Sequence, residues 1–218
     1  MASPPQTEAK RVAPRLYLVT PRVEDAVAFA RELAPVLAAT DIAAVLLRLA
    51  PGGESELIRR VKALAPIVQG TGAALVLDGH PDLVARAGAD GAHLTGIDAF
   101  NDAIGSLKPD RIAGAGGMHT RHDSMLAAEA SADYVLFGEP DVDGARPSFG
   151  AIEDRVAWWA EVFQSPCVAF AANFDEVGPL AAAGADFVAI GDCIWSDARG
   201  PAIAIADAAE RLTLPEKV

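Results

Sequence analysis

Short apolar segments alternate with longer amphipathic segments along most of the chain. The short segments are rich in Val, Leu, Ile and Ala and show almost no alternation of polar with apolar residues, a pattern typical of strands buried on both faces of a sheet. It predicts eight strands, over residues 15–20, 43–49, 73–78, 91–94, 111–115, 134–138, 167–171 and 187–190.

The segments between these strands repeat their apolar residues at spacings of three and four, which predicts a helix after each strand. Helices are expected over residues 23–39, 55–69, 100–107, 121–130, 151–163, 174–183 and 201–212, with another beginning at Pro81. This order predicts an α/β fold, a single (β/α)8 TIM barrel over residues 15–213, after a flexible tail over residues 1–14. A doubly wound open sheet is the alternative, but Thr20-Pro21-Arg22 after the first strand is not a Gly-rich nucleotide-binding fingerprint.

Three connectors between a helix and the next strand share one pattern of small residues followed by an aspartate. They are Ala-Gly-Ala-Asp-Gly at 87–91, Ala-Ser-Ala-Asp-Tyr at 130–134 and Ala-Gly-Ala-Asp-Phe at 183–187. Connectors of this kind lie at the bottom of a βα barrel, whereas active sites lie at the opposite end. We therefore interpret these aspartates as architectural.

Composition narrows the range of partners. The formal net charge is −12 and the pI is about 4.7, so the chain would repel a nucleic acid backbone, and nucleic acid is not an expected partner. No apolar segment approaches the roughly 18 residues that a membrane span needs. Cys167 and Cys193 lie far apart in apolar segments, as expected of reduced thiols in a cytoplasmic protein.

Carboxylates follow two neighbouring strands at the expected mouth of the barrel. Asp78 ends the third strand and Asp98 follows the fourth, so the two could share Mg²⁺, which prefers oxygen ligands. The alternative is that each aspartate caps a turn or a helix.

Cationic and titratable groups are the other candidates at the mouth. Arg48 lies within an apolar strand and should either point into the barrel mouth, where its planar fork would suit a phosphate group, or pair with a carboxylate. His119 follows the fifth strand in a Gly-rich loop, where it could transfer a proton or simply lie on the surface. His93 is interpreted as buried beneath the mouth. Polar residues at 139–146, Asn173 and Asp192 complete the set.

Several phrases, in this order and spacing, resemble thiamine phosphate synthase and its relative, thiazole tautomerase. They include RLYLVTP at 15–21, LVLDG at 75–79, GADGAHLTGID at 88–98, RIAGAGGMH at 111–119, ADYVLFGEP at 132–140 and AGADFVAIGD at 183–192. The resemblance implies a transferase of thiamine biosynthesis that joins a thiazole phosphate to an aminopyrimidine diphosphate and releases pyrophosphate. It implies that Asp78 and Asp98 hold Mg²⁺ and that Arg48 contacts the diphosphate.

The phosphate-binding positions of that family are altered here. Leu46, Ala50 and Leu77 replace the family's Gln, Lys and Asn, and residues 141–146 replace its Thr-x-Thr-Lys. Four further positions are predicted to contact substrate although their residue types differ from the family pattern: Gly116, Ala171, Ala172 and Asp192.

Two other functions fit the same residues. A thiazole tautomerase would use His119 as its catalytic residue and needs no diphosphate site. A barrel without catalytic activity could bind a thiamine-related metabolite or a protein, since the loop at 139–143 is acidic. If the protein is a synthase or a tautomerase, its expected partners are small phosphorylated heterocyclic substrates. A homodimer is also possible, with the Trp158-Trp159 helix as its candidate face.

Overall fold

The computed structural model describes residues 13–212, and within them eight parallel strands close into a barrel in chain order. The strands are β1 (Arg15–Val23), β2 (Ile42–Leu49), β3 (Ala74–Asp78), β4 (Gly91–Thr95), β5 (Ile112–Gly116), β6 (Tyr134–Phe137), β7 (Cys167–Ala171) and β8 (Phe187–Ile190). β1 pairs with both β2 and β8, which completes the ring. The predicted single (β/α)8 barrel is confirmed.

Helices follow the strands around the outside of the barrel. They are α1 (Ala26–Ala39), α2 (Glu54–Gln69), α3 (Val84–Ala87), α4 (Ile97–Leu107), α5 (Arg121–Glu129), α6 (Phe149–Val162), α7 (Phe174–Ala183), α8 (Asp192–Trp195) and α9 (Pro201–Arg211). A 3₁₀ turn over Pro81–Leu83 precedes α3. Of the predicted tail over residues 1–14, only the last two residues are described. The predicted end of the barrel at Thr213 lies outside the described residues.

Several predicted boundaries were wrong, each for a local reason. β1 continues to Val23 because an irregularity after Val19 lets it pair further with β2, and α1 therefore begins only after Asp25, whose carboxylate accepts from the Val27 and Ala28 N–H groups. α4 begins at Ile97, earlier than predicted, directly after Gly96 at φ +91°. The short helix α8 was not predicted.

Two apolar layers result from the alternation of side chains along each strand. The interior of the barrel holds a small cluster that includes Tyr17, Leu46, Val76, Tyr134 and Val168. The larger core lies between the strands and the helices. Because apolar side chains fill most of the barrel interior, its polar side chains lie along the barrel axis and at the mouth.

The three repeated aspartates lie at the bottom of the barrel and tie neighbouring strands together. Asp90 accepts a hydrogen bond from the Leu75 N–H at 2.7 Å, and Asp133 accepts one from the Ala113 N–H at 2.7 Å. Asp186 accepts from the Cys167 N–H at 2.8 Å. The architectural interpretation is confirmed, because each carboxylate accepts from a backbone N–H group at the start of the strand that comes before it in the chain. These strands are β3, β5 and β7.

No helix among residues 13–212 is long and apolar enough to cross a membrane.

Candidate active site

A chain of four hydrogen-bonded side chains runs through the barrel interior. The Tyr17 and Tyr134 hydroxyl oxygens are 2.8 Å apart, and the Tyr134 hydroxyl lies 3.0 Å from His93 Nδ1. His93 Nε2 lies 3.0 Å from Glu139 Oε2. Tyr17, Tyr134 and His93 are buried, whereas the Glu139 side chain keeps 17% of its surface exposed. This chain of hydrogen bonds therefore leads from the buried interior of the barrel to its mouth.

Two glycines of β5 make room for this chain. A Cβ atom on Gly114 would lie 2.1 Å from the Tyr134 ring. A Cβ atom on Gly116 would lie 2.2 Å from Glu139 Oε1 and 2.5 Å from His93 Nε2. Gly116, for which a substrate contact stays a prediction, lies against the His93–Glu139 pair. Any side chain at position 116 would displace that pair.

The carboxylates near His93 shift its proton equilibrium. Burial by itself lowers the pKa of His93, but the charge and hydrogen bond of Glu139, together with the charge of Asp78, outweigh burial and raise the pKa above its usual value. Burial also raises the pKa values of Tyr17 and Tyr134. The two tyrosines therefore stay neutral, and the surroundings of His93 favour its protonated form.

The first predicted metal ligand, Asp78, lies beside this chain. Asp78 ends β3 and stands in register with His93 on β4. Among residues 13–212 its carboxylate has no hydrogen-bond partner, and its negative charge acts on His93, Tyr17 and Tyr134. This position suits a carboxylate that receives a ligand from the mouth.

The second predicted metal ligand, Asp98, is exposed in the first turn of α4. A carboxylate is favourable there because the positive end of the helix dipole faces it. No group of three or more His, Cys, Asp or Glu side chains in the described part of the chain is arranged to hold a metal ion. The metal site predicted at Asp78 and Asp98 therefore stays a prediction.

Arg48 pairs with the predicted substrate contact Asp192 across the mouth. The Arg48 Nη2 atom lies 2.8 Å from Asp192 Oδ1, and Arg48 Nε donates to the Thr20 carbonyl. The Arg48 side chain is 24% exposed and that of Asp192 is 81% exposed. Both alternatives for Arg48 are realised, since the guanidinium lies at the mouth and is paired with a carboxylate.

The loop after β7 is occupied by the carboxylate of Glu176, which sequence reasoning missed. Glu176 Oε2 accepts from the Ala172 N–H at 2.8 Å and forms an ion pair with Arg146 Nη1 at 2.9 Å. Both side chains of the ion pair are largely buried. Ala171 is buried at the end of β7. The backbone donor predicted to contact substrate at position 172 is thus already bonded to an anion of the protein itself.

The His119 side chain is not part of the buried hydrogen-bond chain. Its side chain is exposed ahead of α5, and its carbonyl oxygen accepts from Arg155. The histidine held inside the barrel is His93, as interpreted from the sequence. Its pairing with Glu139 was missed because 46 residues separate the two.

The aromatic residues of α6 and α8 are packed. Trp159 is buried, stacks on Phe163 and donates to the Ser165 carbonyl, so Trp159 itself offers no exposed surface on the predicted dimer face of this helix. Trp158 is half-buried beneath the Arg121 guanidinium. Trp195 packs against Phe29 and donates to the Val19 carbonyl at the barrel rim.

Comparison with known proteins agrees with this architecture. The family model described as thiamine monophosphate synthase matches residues 16–194. A thiamine-phosphate synthase of Rhodospirillum centenum is 40% identical over 88% of this chain and 95% of the relative. One from Hyphomonas neptunium is 34% identical over 91% of this chain and 94% of the relative.

Solved structures agree on the fold. A thiamine phosphate pyrophosphorylase from Pyrococcus furiosus superposes with a TM-score of 0.73 at 20% identity, covering 91% of this chain and 95% of that one. A 3-hexulose-6-phosphate synthase superposes with a TM-score of 0.70 at 14% identity, over 91% of this chain and all of that one. From the family model and these sequence relatives together, the chain belongs to the thiamine monophosphate synthase family.

Proposed function

We propose that this protein joins a thiazole phosphate to an aminopyrimidine diphosphate, forming thiamine phosphate and releasing pyrophosphate. The observation that carries this proposal is the 40% identity to a thiamine-phosphate synthase over nearly the whole barrel. The new bond forms between the thiazole nitrogen and the pyrimidine methylene carbon, and the carbon–oxygen bond to the diphosphate breaks. The leaving pyrophosphate takes the bonding electron pair.

Asp78 and Asp98 suit Mg²⁺ by the chemistry of their donors. Mg²⁺ usually binds one or two carboxylates, substrate phosphate oxygens and several waters, so two aspartates at the mouth are sufficient. The position of Asp78 at the end of β3, beside His93 at the start of the mouth, supports this assignment. When bound, Mg²⁺ would neutralise charge on the diphosphate as it leaves.

Arg48 is the residue that we assign to the diphosphate. Its guanidinium stays charged at any physiological pH and presents a planar fork that matches phosphate oxygens. The Thr20 carbonyl and the Thr20 hydroxyl, which accepts from the Arg48 N–H, orient it toward the mouth. Asp192 must give up its ion pair with Arg48, at least in part, when a diphosphate binds.

The test is a direct assay with purified protein, Mg²⁺ and both substrates, in which thiamine phosphate and pyrophosphate are quantified. We expect product above a control without enzyme, and we expect the Asp78→Ala/Asp98→Ala variant to be slower by about 10²–10³-fold. If the wild type forms no product above the control, the proposal is wrong.

A cytoplasmic location and a homodimer are also part of this proposal. The substrates are charged phosphate esters, which do not cross membranes unaided. On α6, Val162 is 60% exposed one turn beyond the half-buried Trp158, which leaves an apolar strip available for a second copy. Sedimentation of the purified protein measures the oligomeric state.

A further inference from the structure

One oxygen of the buried hydrogen-bond chain has no partner. Glu139 Oε2 is bonded to His93, but Oε1 is buried and makes no hydrogen bond to any residue of the described chain. A carboxylate oxygen that is removed from water without a donor carries a large desolvation cost. A donor from outside the protein would remove that cost.

The direction of the hydrogen bonds requires that partner to be a donor. When His93 is neutral and carries its proton on Nε2, Tyr17 donates to Tyr134, Tyr134 donates to His93 Nδ1, and His93 donates to Glu139. Every donor of the chain is then used, and each points toward the mouth. When His93 is protonated, Nε2 still donates to Glu139. In both states the carboxylate of Glu139 is an acceptor only.

We propose that Glu139 determines substrate specificity by accepting an N–H group of an amino-substituted heterocycle through Oε1. The surroundings favour such a group over an anion, because Asp78 lies beside the same chain and adds negative charge. Two arginines near the strand ends are already paired with other carboxylates, Arg48 with Asp192 and Arg146 with Glu176. A phosphate at this point would face two carboxylates.

Glu139 is placed so that a ligand can reach it. It follows Gly138 in the loop after β6, and its side chain is partly exposed. Oε1 itself is buried, and because the last torsion of a glutamate side chain is soft, a small movement of the Glu139 side chain can expose it without a backbone movement. His93 then acts as a positioning residue that holds the other oxygen.

This inference deepens the proposed function, since the aminopyrimidine substrate carries such an amino group. Calorimetry with two unphosphorylated probes tests it: the aminopyrimidine alcohol, and the same molecule with hydrogen in place of the amino group. We expect the wild type to prefer the amino compound by about tenfold, the size of one charge-assisted hydrogen bond.

Two variants separate a specific contact from a general charge effect. In Glu139→Gln, the amide oxygen faces the His93 N–H and the amide NH₂ faces the ligand, so we expect the preference to disappear. Asp143→Asn removes the same charge from an exposed position in the same loop and should keep the preference. Thermal unfolding of both variants checks that they are folded, and Glu139→Ala should lose the preference as well.

Three calorimetric results would overturn the inference: no binding of either probe to the wild type, equal binding of the two, or a preference that persists in Glu139→Gln. The outcome is separable from the synthase assay, because the probes carry no leaving group and form no product. A wild type that forms thiamine phosphate, with an unchanged KM for the aminopyrimidine diphosphate in Glu139→Gln, would leave the proposed function standing and reject the role of Glu139.

Discussion

The absence of a side chain on Gly116 is what allows Glu139 to reach His93. The two partners lie on β4 and in the loop after β6, and Gly116 ends the strand between them. A Cβ atom there would lie 2.2 Å from Glu139 Oε1 and 2.5 Å from His93 Nε2, closer than atoms can approach without a shift. Gly116 on β5 thus makes the contact between Glu139 and His93 possible.

Gly116→Ala is expected to destabilise the protein by about 1–3 kcal/mol, because the added methyl group must push the buried pair aside. Chemical denaturation measures the change. Gly105→Ala is the matched control: Gly105 lies inside α4 with nothing within 4 Å of an added Cβ, and alanine there should stabilise by about 0.5–1 kcal/mol. Adding Glu139→Ala to Gly116→Ala should recover part of the loss, and no recovery would argue against the steric explanation.

The His93–Glu139 pair predicts a pH-dependent contribution to stability. The pKa of His93 is raised in the folded state, so this contribution is complete below the unfolded pKa of about 6.5 and is lost as the pH rises through the folded value. The melting temperature of wild type should therefore exceed that of Glu139→Gln by more near pH 6 than near pH 9. His122→Gln, at an exposed histidine, should show no such trend. A difference that grows toward alkaline pH would contradict the assignment.

Removal of Glu176 is expected to leave a buried guanidinium without its counter-ion. Glu176→Ala should lower the free energy of unfolding by about 3–5 kcal/mol, because Arg146 Nη1 and the Ala172 N–H both lose their acceptor and Arg146 keeps only the neutral Phe170 carbonyl. Equilibrium denaturation tests this value. Glu54→Ala, which breaks an exposed ion pair with Arg86, should change stability far less. Equal effects of the two variants would show that burial of the Arg146 pair contributes little.

Asp192 is expected to compete with anionic ligands for Arg48. Asp192→Ala removes both the competing ion pair and one negative charge at the mouth, so inorganic pyrophosphate with Mg²⁺ should bind several-fold more tightly. Isothermal titration calorimetry gives the two dissociation constants. Asp41→Ala removes the same charge near the bottom of the barrel, where Asp41 pairs with Arg15, and should leave the affinity unchanged. Weaker pyrophosphate binding in Asp192→Ala would show that Asp192 supports the site.

The order of the elements and the bottom of the barrel followed from the sequence alone. The spacing of hydrophobic residues along the chain indicates which face of each segment is buried. Eight apolar segments separated by amphipathic segments allow few arrangements other than a closed parallel barrel. The three Ala-x-Ala-Asp connectors could be interpreted in the same way, because their small residues and their place between a helix and the next strand are visible in the sequence. The end of β1 was missed because it depends on pairing with β2 beyond an irregularity.

The composition of the site was decided by the tertiary structure. Glu139 and His93 are 46 residues apart, and Arg48 and Asp192 are 144 residues apart. Neither pair leaves a periodic or local signal. Whether a carboxylate at the mouth faces a metal, a guanidinium or an imidazole depends on which strand ends the closed barrel brings together. Sequence therefore determined which polar residues reach the mouth, and barrel closure determined which of them meet, because side-chain contacts across a barrel are set by register and not by chain distance.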